Sequence, residues 1–338
     1  MIGMIVIAII AALLLAWYLE YRRRDPHPVA DGLQLDIDLP HDEEFELYHN
    51  ALSICSMKVR VCLAELQIPY KSHHIDLIET GSFETTRASF RRVNPAGTVP
   101  VLVHNGHPIY QSHEQIRYAA THCPPGVSPL VPDDRDEAAL MDEWIDRSSL
   151  TAQPLDNMGA SAGNAVPGQT FPLFATMIEK IPYWRIVEGL LFHHNKRMPM
   201  LFVALKLKGL EVLGSDAFLS KLFADSRQHL HEHLDALEQQ LKKSVGPWIV
   251  GTRYTLADVS WLVIFERLKQ AAVIDVFVSD DRRPACAAYW RQLQERAAYR
   301  TAILDHAHPI VTYGTNRIVE AKAASPALRE LLEGVQQP

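Results

Sequence analysis

Apolar positions along the chain change their rhythm several times, and each change marks a different kind of element. Residues 1–19 are almost continuously apolar and carry no charged side chain. A helix of that length reaches about 28 Å, close to a hydrocarbon core of ~30 Å. FELYHN (Phe45–Asn50) then alternates apolar and polar residues as a short strand does. SMKVRVCLAELQI (Ser56–Ile68) places Val59, Cys62, Leu63 and Leu66 on one helical face. Tyr70–Asp76 reads as a second strand and Phe83–Val93 as a short helix. Val99–His104 and Pro108–Gln111 form a hairpin around Asn105-Gly106, a dipeptide suited to a type I′ turn. Ser112–Thr121 reads as a closing helix, which makes the order β-α-β-α-β-β-α.

CPPGVSPLVPDDR (Cys123–Arg135) contains four prolines and a glycine and reads as a boundary, beyond which the pattern is helical. Leu140, Trp144 and Ile145 begin one amphipathic helix, and Leu222, Leu230, Leu234, Leu237 and Leu241 mark another. Val259–Ile274 is apolar nearly all round, hence a buried helix. Gln153–Pro172 is rich in Gly, Asn and Pro and is expected to be an irregular lid or binding loop. Lys196–Leu213 is basic and strongly apolar; core packing is the expectation, with a membrane-surface helix as the alternative. The resulting division is 1–21 membrane segment, 22–43 linker, 44–122 α/β unit, 123–135 interdomain linker, 136–308 helical unit with an insertion at about 153–215, and 309–338 C-terminal tail, solvated after Ala321.

The flanks of the first segment decide how to read it. Trp17, Tyr18 and Tyr21 stand where an aromatic belt would, followed by Arg22, Arg23 and Arg24. A cleavable signal peptide has its basic region first and small residues at its end, the opposite arrangement. The segment is therefore expected to be a permanent single-pass anchor, and the positive-inside rule keeps the arginines and the body on the cytoplasmic side. The formal charge of −7 offers no general attraction to nucleic acid. Four cysteines (Cys55, Cys62, Cys123, Cys286) show neither a CxxC pair nor metal-ligand spacing, which fits a reducing compartment and no metal. His229 and His233 have the i, i+4 spacing of a metal pair but lack a third ligand, so they read as surface residues.

ALSICSMKVR (Ala51–Arg60) joins the first strand to the first helix of the α/β unit and clusters Ser53, Cys55 and Ser56 at the helix start. Unpaired N–H groups and the helix dipole there stabilise a thiolate, and a serine hydroxyl can donate to one. A two-unit fall from a thiol pKa of ~8.5 needs only ~2.7 kcal/mol. The bland reading, with a serine as N-cap and Cys55 as filler, is equally consistent with this segment alone. NPAGTVPVL (Asn94–Leu102) puts Pro100 just before an apolar strand, where it removes a ladder hydrogen bond. A cis Val99–Pro100 bond would present the Val99 backbone to an extended peptide as one more strand would. In PIYQSHEQI (Pro108–Ile116), Ser112 is expected to cap a helix whose N-terminus attracts a carboxylate. Together these features describe a site for a small thiol peptide.

The segments SICSMKVR, NPAGTVPVL and QS make residues 44–122 resemble the thioredoxin-fold N-terminal domain of glutathione transferases, closest in motif to the zeta class and the tetrachlorohydroquinone reductive dehalogenases. GTRYTLADVSW (Gly251–Trp261) is similar to the family's buried helix start, with Thr255 and Asp258 as a structural T-x-x-D capping box. The resemblance implies a thioredoxin-like α/β domain followed by an all-α domain, with glutathione as co-substrate. It implies that Ser53 activates the glutathione thiolate and that Cys55 forms a mixed disulfide with glutathione. It further implies that Val99 and Pro100 pair with the cysteinyl backbone, and that Gln111 and Ser112 hold the γ-glutamyl carboxylate. The expected activity is thiolate attack on an electrophilic, hydrophobic or aromatic substrate, with reductive dehalogenation through Cys55. The alternatives are a glutathione-dependent isomerase and, in another class, a non-catalytic membrane scaffold or redox-sensing binder. Ile54 and Met57 stand where the zeta pattern has Ser and Trp, which counts against the isomerase. Family members are usually dimers, so a homodimer is implied.

Overall fold

The computed structural model describes residues 2–151, 153–215 and 217–334. A long apolar helix, α1 (Ile2–Arg23), precedes a two-residue strand β1 (Gly32–Leu33). The α/β unit follows as β2 (Phe45–His49), α2 (Ile54–Glu65), β3 (Lys71–His74), α3 (Ala88–Arg91), β4 (Val101–His104), β5 (His107–Tyr110) and α4 (Ser112–Ala120). The sheet order is β1-β5-β4-β2-β3, with β2 and β3 parallel and the other neighbours antiparallel. Alternation along β4 sends Leu102 toward α2 and α4, while Val101 and Val103 face Phe90 and Leu39 on the other side. This is a thioredoxin-like sheet packed beside a helical unit.

The linker expectation needs correcting. Gly32 and Leu33 pair with Tyr110 and Ile109, and Leu39 is buried against Val101, Val103 and Tyr110. Residues 29–39 thus close the open edge of β5 and cover one face of the sheet, satisfying backbone groups that an edge strand leaves unpaired. Phe83–Val93 is also more broken than the single expected helix. It comprises a 3-10 turn at Glu84–Thr86 and the single-turn α3, because Thr85 and Thr86 interrupt the helical stretch.

The helical unit runs α5 (Arg135–Asp146), α6 (Ala162–Ile178), α7 (Tyr183–Phe192), α8 (Arg197–Lys208), α9 (Glu211–Ser215), α10 (Ala217–Lys243), α11 (Leu256–Gln270), α12 (Ile274–Phe277), α13 (Pro284–Glu295), α14 (Ala297–Tyr299), α15 (Pro309–Ala324) and α16 (Pro326–Glu333). α11 is buried on every side from Leu256 to Leu268. Most of the expected irregular loop is instead α6, a buried helix that includes Pro167 and Pro172. Its small residues let neighbours approach closely. A Cβ on Gly168 would lie 2.4 Å from that of Ser226, and one on Gly163 would lie 2.4 Å from the Ser148 carbonyl oxygen. Tertiary packing overrides the poor local propensity of Gly and Pro. The tail is likewise not merely solvated: Val311, Ile318 and Leu332 join the core of α6, α8 and α10, and Lys322 pairs with Glu333 at 2.7 Å.

α1 carries a stretch of mean hydropathy 2.7, has no buried residue, and is long and apolar enough to cross a membrane.

Candidate functional site

Loop 50–53, between β2 and α2, is fixed from below by buried polar groups. The Asn50 side chain donates to the Ile75 carbonyl (2.8 Å) and Thr80 Oγ1 (2.9 Å) and accepts from the Leu52 amide (2.8 Å). Ser56 Oγ accepts from the Asn50 amide at 3.2 Å. Two buried guanidinium groups hold the loop's carbonyls. Arg60 donates to Asn50 O at 3.0 Å and Ala302 O at 2.8 Å, and Arg267 of α11 donates to Leu52 O. The Arg60 charge is thereby shared between two carbonyls, whereas Arg267 Nε has no hydrogen-bond partner among the described residues.

At the end of this loop Ser53 is the N-cap of α2, its Oγ accepting from the Ser56 amide at 3.2 Å. That bond uses a lone pair and leaves the hydroxyl proton free. Its nearest acceptor, the Val99 carbonyl oxygen, lies at 3.5 Å, the outer limit of a hydrogen bond. Cys55 is a free, half-exposed thiol in the first turn. One turn on, Lys58 is buried with no hydrogen-bond partner for Nζ among the described residues. Burial pushes its ammonium down to about 8, and the charge of Cys55 opposes that fall, which places the two groups in one electrostatic neighbourhood. Cys62, by contrast, is fully buried, donates weakly to Ile116 O, and has its thiol pushed up by burial.

The Asn94–Pro100 segment reaches the same end of the sheet. Asn94 Nδ2 donates to Thr98 O at 2.8 Å and its Oδ1 accepts from the Ala96 amide at 3.0 Å. Gly97 has φ +67°, and a Cβ there would lie 2.7 Å from Thr85 O, so glycine is required. The Val99–Pro100 peptide is cis, and β4 begins only at Val101, leaving Val99 outside the ladder and half-buried. Gln115 Nε2 ties Pro100 O (2.9 Å) to Ile109 O (2.8 Å), which fixes the start of α4 beside the turn.

The N-cap of α4 is Gln111, not Ser112 as expected. Gln111 is exposed, has φ +66° and makes no side-chain capping bond, while Ser112 is buried at the first helical position. A non-glycine residue in that region costs about 1 kcal/mol or more. The first turn of α4 thus has no capping bond from Gln111. Burial, followed by the Lys58 charge, lowers the pKa of neighbouring His113.

The structure therefore brings Ser53, Cys55, Val99, Pro100, Gln111 and Ser112 to one end of the sheet. Thr255 and Asp258 lie apart, at the start of α11. Asp258 accepts from the amides of Ile249 (3.1 Å) and Thr255 (2.8 Å) and from Tyr289 Oη (2.9 Å), a structural arrangement. Its carboxyl is raised to about 6 by burial, which those bonds oppose. The histidines of α10 are spoken for separately: His229 meets Glu232, His231 meets Arg283, and His233 meets Met158 O. Asn50, Lys58, Arg60, Gln115 and Arg267 are site-building residues that the sequence reading missed. The one available signal was Lys58 and Arg60 within the apolar run of α2.

Comparison with known proteins covers both units. Residues 52–122 match the glutathione S-transferase N-terminal domain, and residues 220–291 match its C-terminal domain. A tetrachloro-p-hydroquinone reductive dehalogenase of Sphingobium chlorophenolicum is 24% identical over 77% of this chain and 95% of its own. A probable maleylacetoacetate isomerase of Drosophila melanogaster is 33% identical over 33% of this chain and 48% of its own. The crystal structure of a β-etherase from Sphingobium sp. strain SYK-6 superimposes with a TM-score of 0.60 at 18% identity, over 78% of this chain and all of that one. With residues 52–122 and 220–291 matched in order and the sheet-then-helices fold shared, the chain carries the N- and C-terminal domains of the glutathione S-transferase type.

Proposed function

We propose that this chain is a membrane-anchored glutathione transferase in which Ser53 stabilises the glutathione thiolate for attack on a hydrophobic or aromatic electrophile. The observation that carries it is the Ser53 hydroxyl. Its oxygen is held by the Ser56 amide while its proton has only a marginal acceptor, so it is poised to donate to a sulfur beside the Val99 backbone. Val99 and Pro100 offer the edge on which the tripeptide backbone lies. The open first turn of α4 at Gln111 and Ser112 receives the γ-glutamyl carboxylate. Cys55 gives the reductive branch. After glutathione displaces halide from the substrate, the Cys55 thiolate attacks the sulfur of the adduct and forms a mixed disulfide. The carbon leaves with the electron pair and takes a proton. A second glutathione then releases glutathione disulfide and restores Cys55, so that halide is replaced by hydrogen. The likeness to a reductive dehalogenase over 77% of this chain and 95% of that one supports this branch.

α1, with its aromatic and arginine flank, is the single-pass anchor, and the body lies on the cytoplasmic side. A homodimer is the expected assembly.

Titration of the detergent-solubilised full chain with glutathione in a calorimeter tests the site. Saturable binding weakened by Ser112→Ala is the expected result; no binding at millimolar glutathione would transfer the reading to a non-catalytic scaffold. The isomerase remains the second reading because of the isomerase relative. Cys55→Ser separates the two, sparing an isomerase and abolishing reductive turnover.

A further inference from the structure

α7 has two contrasting faces. Ile186 and Gly189 face inward, and a Cβ on Gly189 would lie 2.5 Å from the Phe83 ring. The other face is a continuous stripe of Tyr183, Trp184, Val187, Leu190 and Leu191, all exposed, with Trp184 59% and Tyr183 63% accessible. Spacings of one, three or four residues put these side chains on one side of the helix. A stripe of this kind on a body otherwise rich in charge calls for a covering.

The position of the stripe identifies that covering. α1 meets the body at α7: Trp17 Nε1 donates to Leu191 O at 3.3 Å, Arg24 pairs with Glu188 at 3.1 Å, and the Arg24 guanidinium lies 4.3 Å from the centre of the Phe192 ring. Trp17 stands three residues before Glu20, the first charged side chain, or about 4.5 Å along the helix axis. Any bilayer spanned by α1 therefore has the Leu191 end of α7 at the depth of Trp17, within its interfacial layer. The surrounding charge agrees. Between residues 180 and 210 six Lys and Arg face a single acid, Glu188, in a chain whose formal charge is −7. Glu188 is already engaged by Arg24 and Arg185. In α8, Pro199, Phe202 and Leu205 pack inward while Arg197, Leu207 and Lys208 point out. Arg185 lies over the Trp184 ring at 3.8 Å and Lys206 over Tyr183 at 5.1 Å, pairing cations with interfacial aromatics.

We infer that the α7–α8 insertion is a second membrane contact, a platform that seats its aromatic stripe among the headgroups of an anionic bilayer and fixes the body against the lipid surface. This rests on α1 being a membrane anchor. It goes beyond anchoring because α1 alone fixes one point of the body at the surface, whereas a seated stripe fixes its orientation as well. Tyr183 and Trp184 are suited to the headgroup layer, and the cations of α8 to lipid phosphate.

The test uses the full chain reconstituted in phosphatidylcholine–phosphatidylglycerol vesicles whose acyl chains are brominated near the headgroup, with tryptophan emission as the readout. Of the six tryptophans, only Trp17 and Trp184 belong to the exposed apolar set, so they carry the lipid-quenched emission. Trp184→Phe should remove about half of it, Trp17→Phe the rest, and the Trp184 share should shrink in vesicles of phosphatidylcholine alone. Quenching lost in Trp17→Phe but unchanged in Trp184→Phe would overturn the platform and leave the anchor standing. No lipid quenching of either tryptophan would overturn both. Trp184 is exposed, so its replacement leaves the packing of α7 intact.

Discussion

Ser53 caps α2, and Lys58 lies buried one turn further on. The Ser53 hydroxyl faces the Val99 carbonyl, and Lys58 approaches from within the protein without a hydrogen-bond partner among the described residues. A buried unpaired ammonium destabilises a fold, so its presence there needs a return. The charge of Cys55 is the largest influence opposing the fall of that ammonium. Lys58→Met should therefore raise stability to urea by on the order of 1–3 kcal/mol. Unchanged or lowered stability would mean that the ammonium is compensated where it lies. Ser53→Ala removes one charge-assisted hydrogen bond, worth roughly 1.5–3 kcal/mol, and should lower turnover about 10–100-fold at saturating glutathione. Steady-state kinetics with a model aryl halide would show it.

Elements differ in how far their own residues announce them. β2, β4 and the buried α11 follow from period and hydrophobicity, because each meets its neighbours through a regular face. The convergence of Ser53, Val99 and Ser112 at one end of the sheet was anticipated from local marks, a cap and a proline before a strand, although the residue capping α4 is Gln111 rather than Ser112. β1 left none, since two residues have no period and their pairing depends on a β5 edge some 75 positions away. Arg60 and Arg267 were hidden for the same cause. An arginine on a helix looks solvated until the carbonyls of loop 50–53 are folded against it. α6 was misread because Gly163, Gly168 and the two prolines weigh against a helix locally, while the close contacts they permit are tertiary. Gly168→Val should accordingly cost several kcal/mol in chemical denaturation, as its side chain would overlap Ser226. A cost below about 0.5 kcal/mol would mean that α6 is not held this tightly.

Over the whole molecule, acid should loosen the fold through its buried histidines. His49 is 1% exposed and held neutral: burial first, then the Arg60 charge, depress it to about 2. It sits 3.1 Å from Arg60 Nη1 and 2.7 Å from Ser72 Oγ, in the network that fixes loop 50–53. His306, whose ring lies 5.3 Å from that of His49, is depressed to about 4, again mainly by burial. Both folded-state values lie below the unfolded value of 6.5, so the unfolded chain binds more protons than the native one in mildly acidic solution. The stabilisation from keeping these rings neutral is complete above about pH 6.5 and is lost as pH falls below it, down to about 4 for His306 and about 2 for His49. Each fully buried ring contributes up to ~1.4 kcal/mol per pH unit, and half-buried His306 less. Asp258 opposes this trend between about pH 4 and 6, because a carboxyl raised by burial favours the folded state when protonated. The net slope of stability between pH 7 and pH 5, measured by urea denaturation, should therefore be positive with pH and should flatten in His49→Gln. Because His49 stays neutral in the folded protein down to about pH 2, its support of the loop that presents Ser53 persists over the same interval and should leave glutathione affinity unchanged there. A His49→Gln variant with the wild-type slope would place the acid sensitivity elsewhere in the molecule.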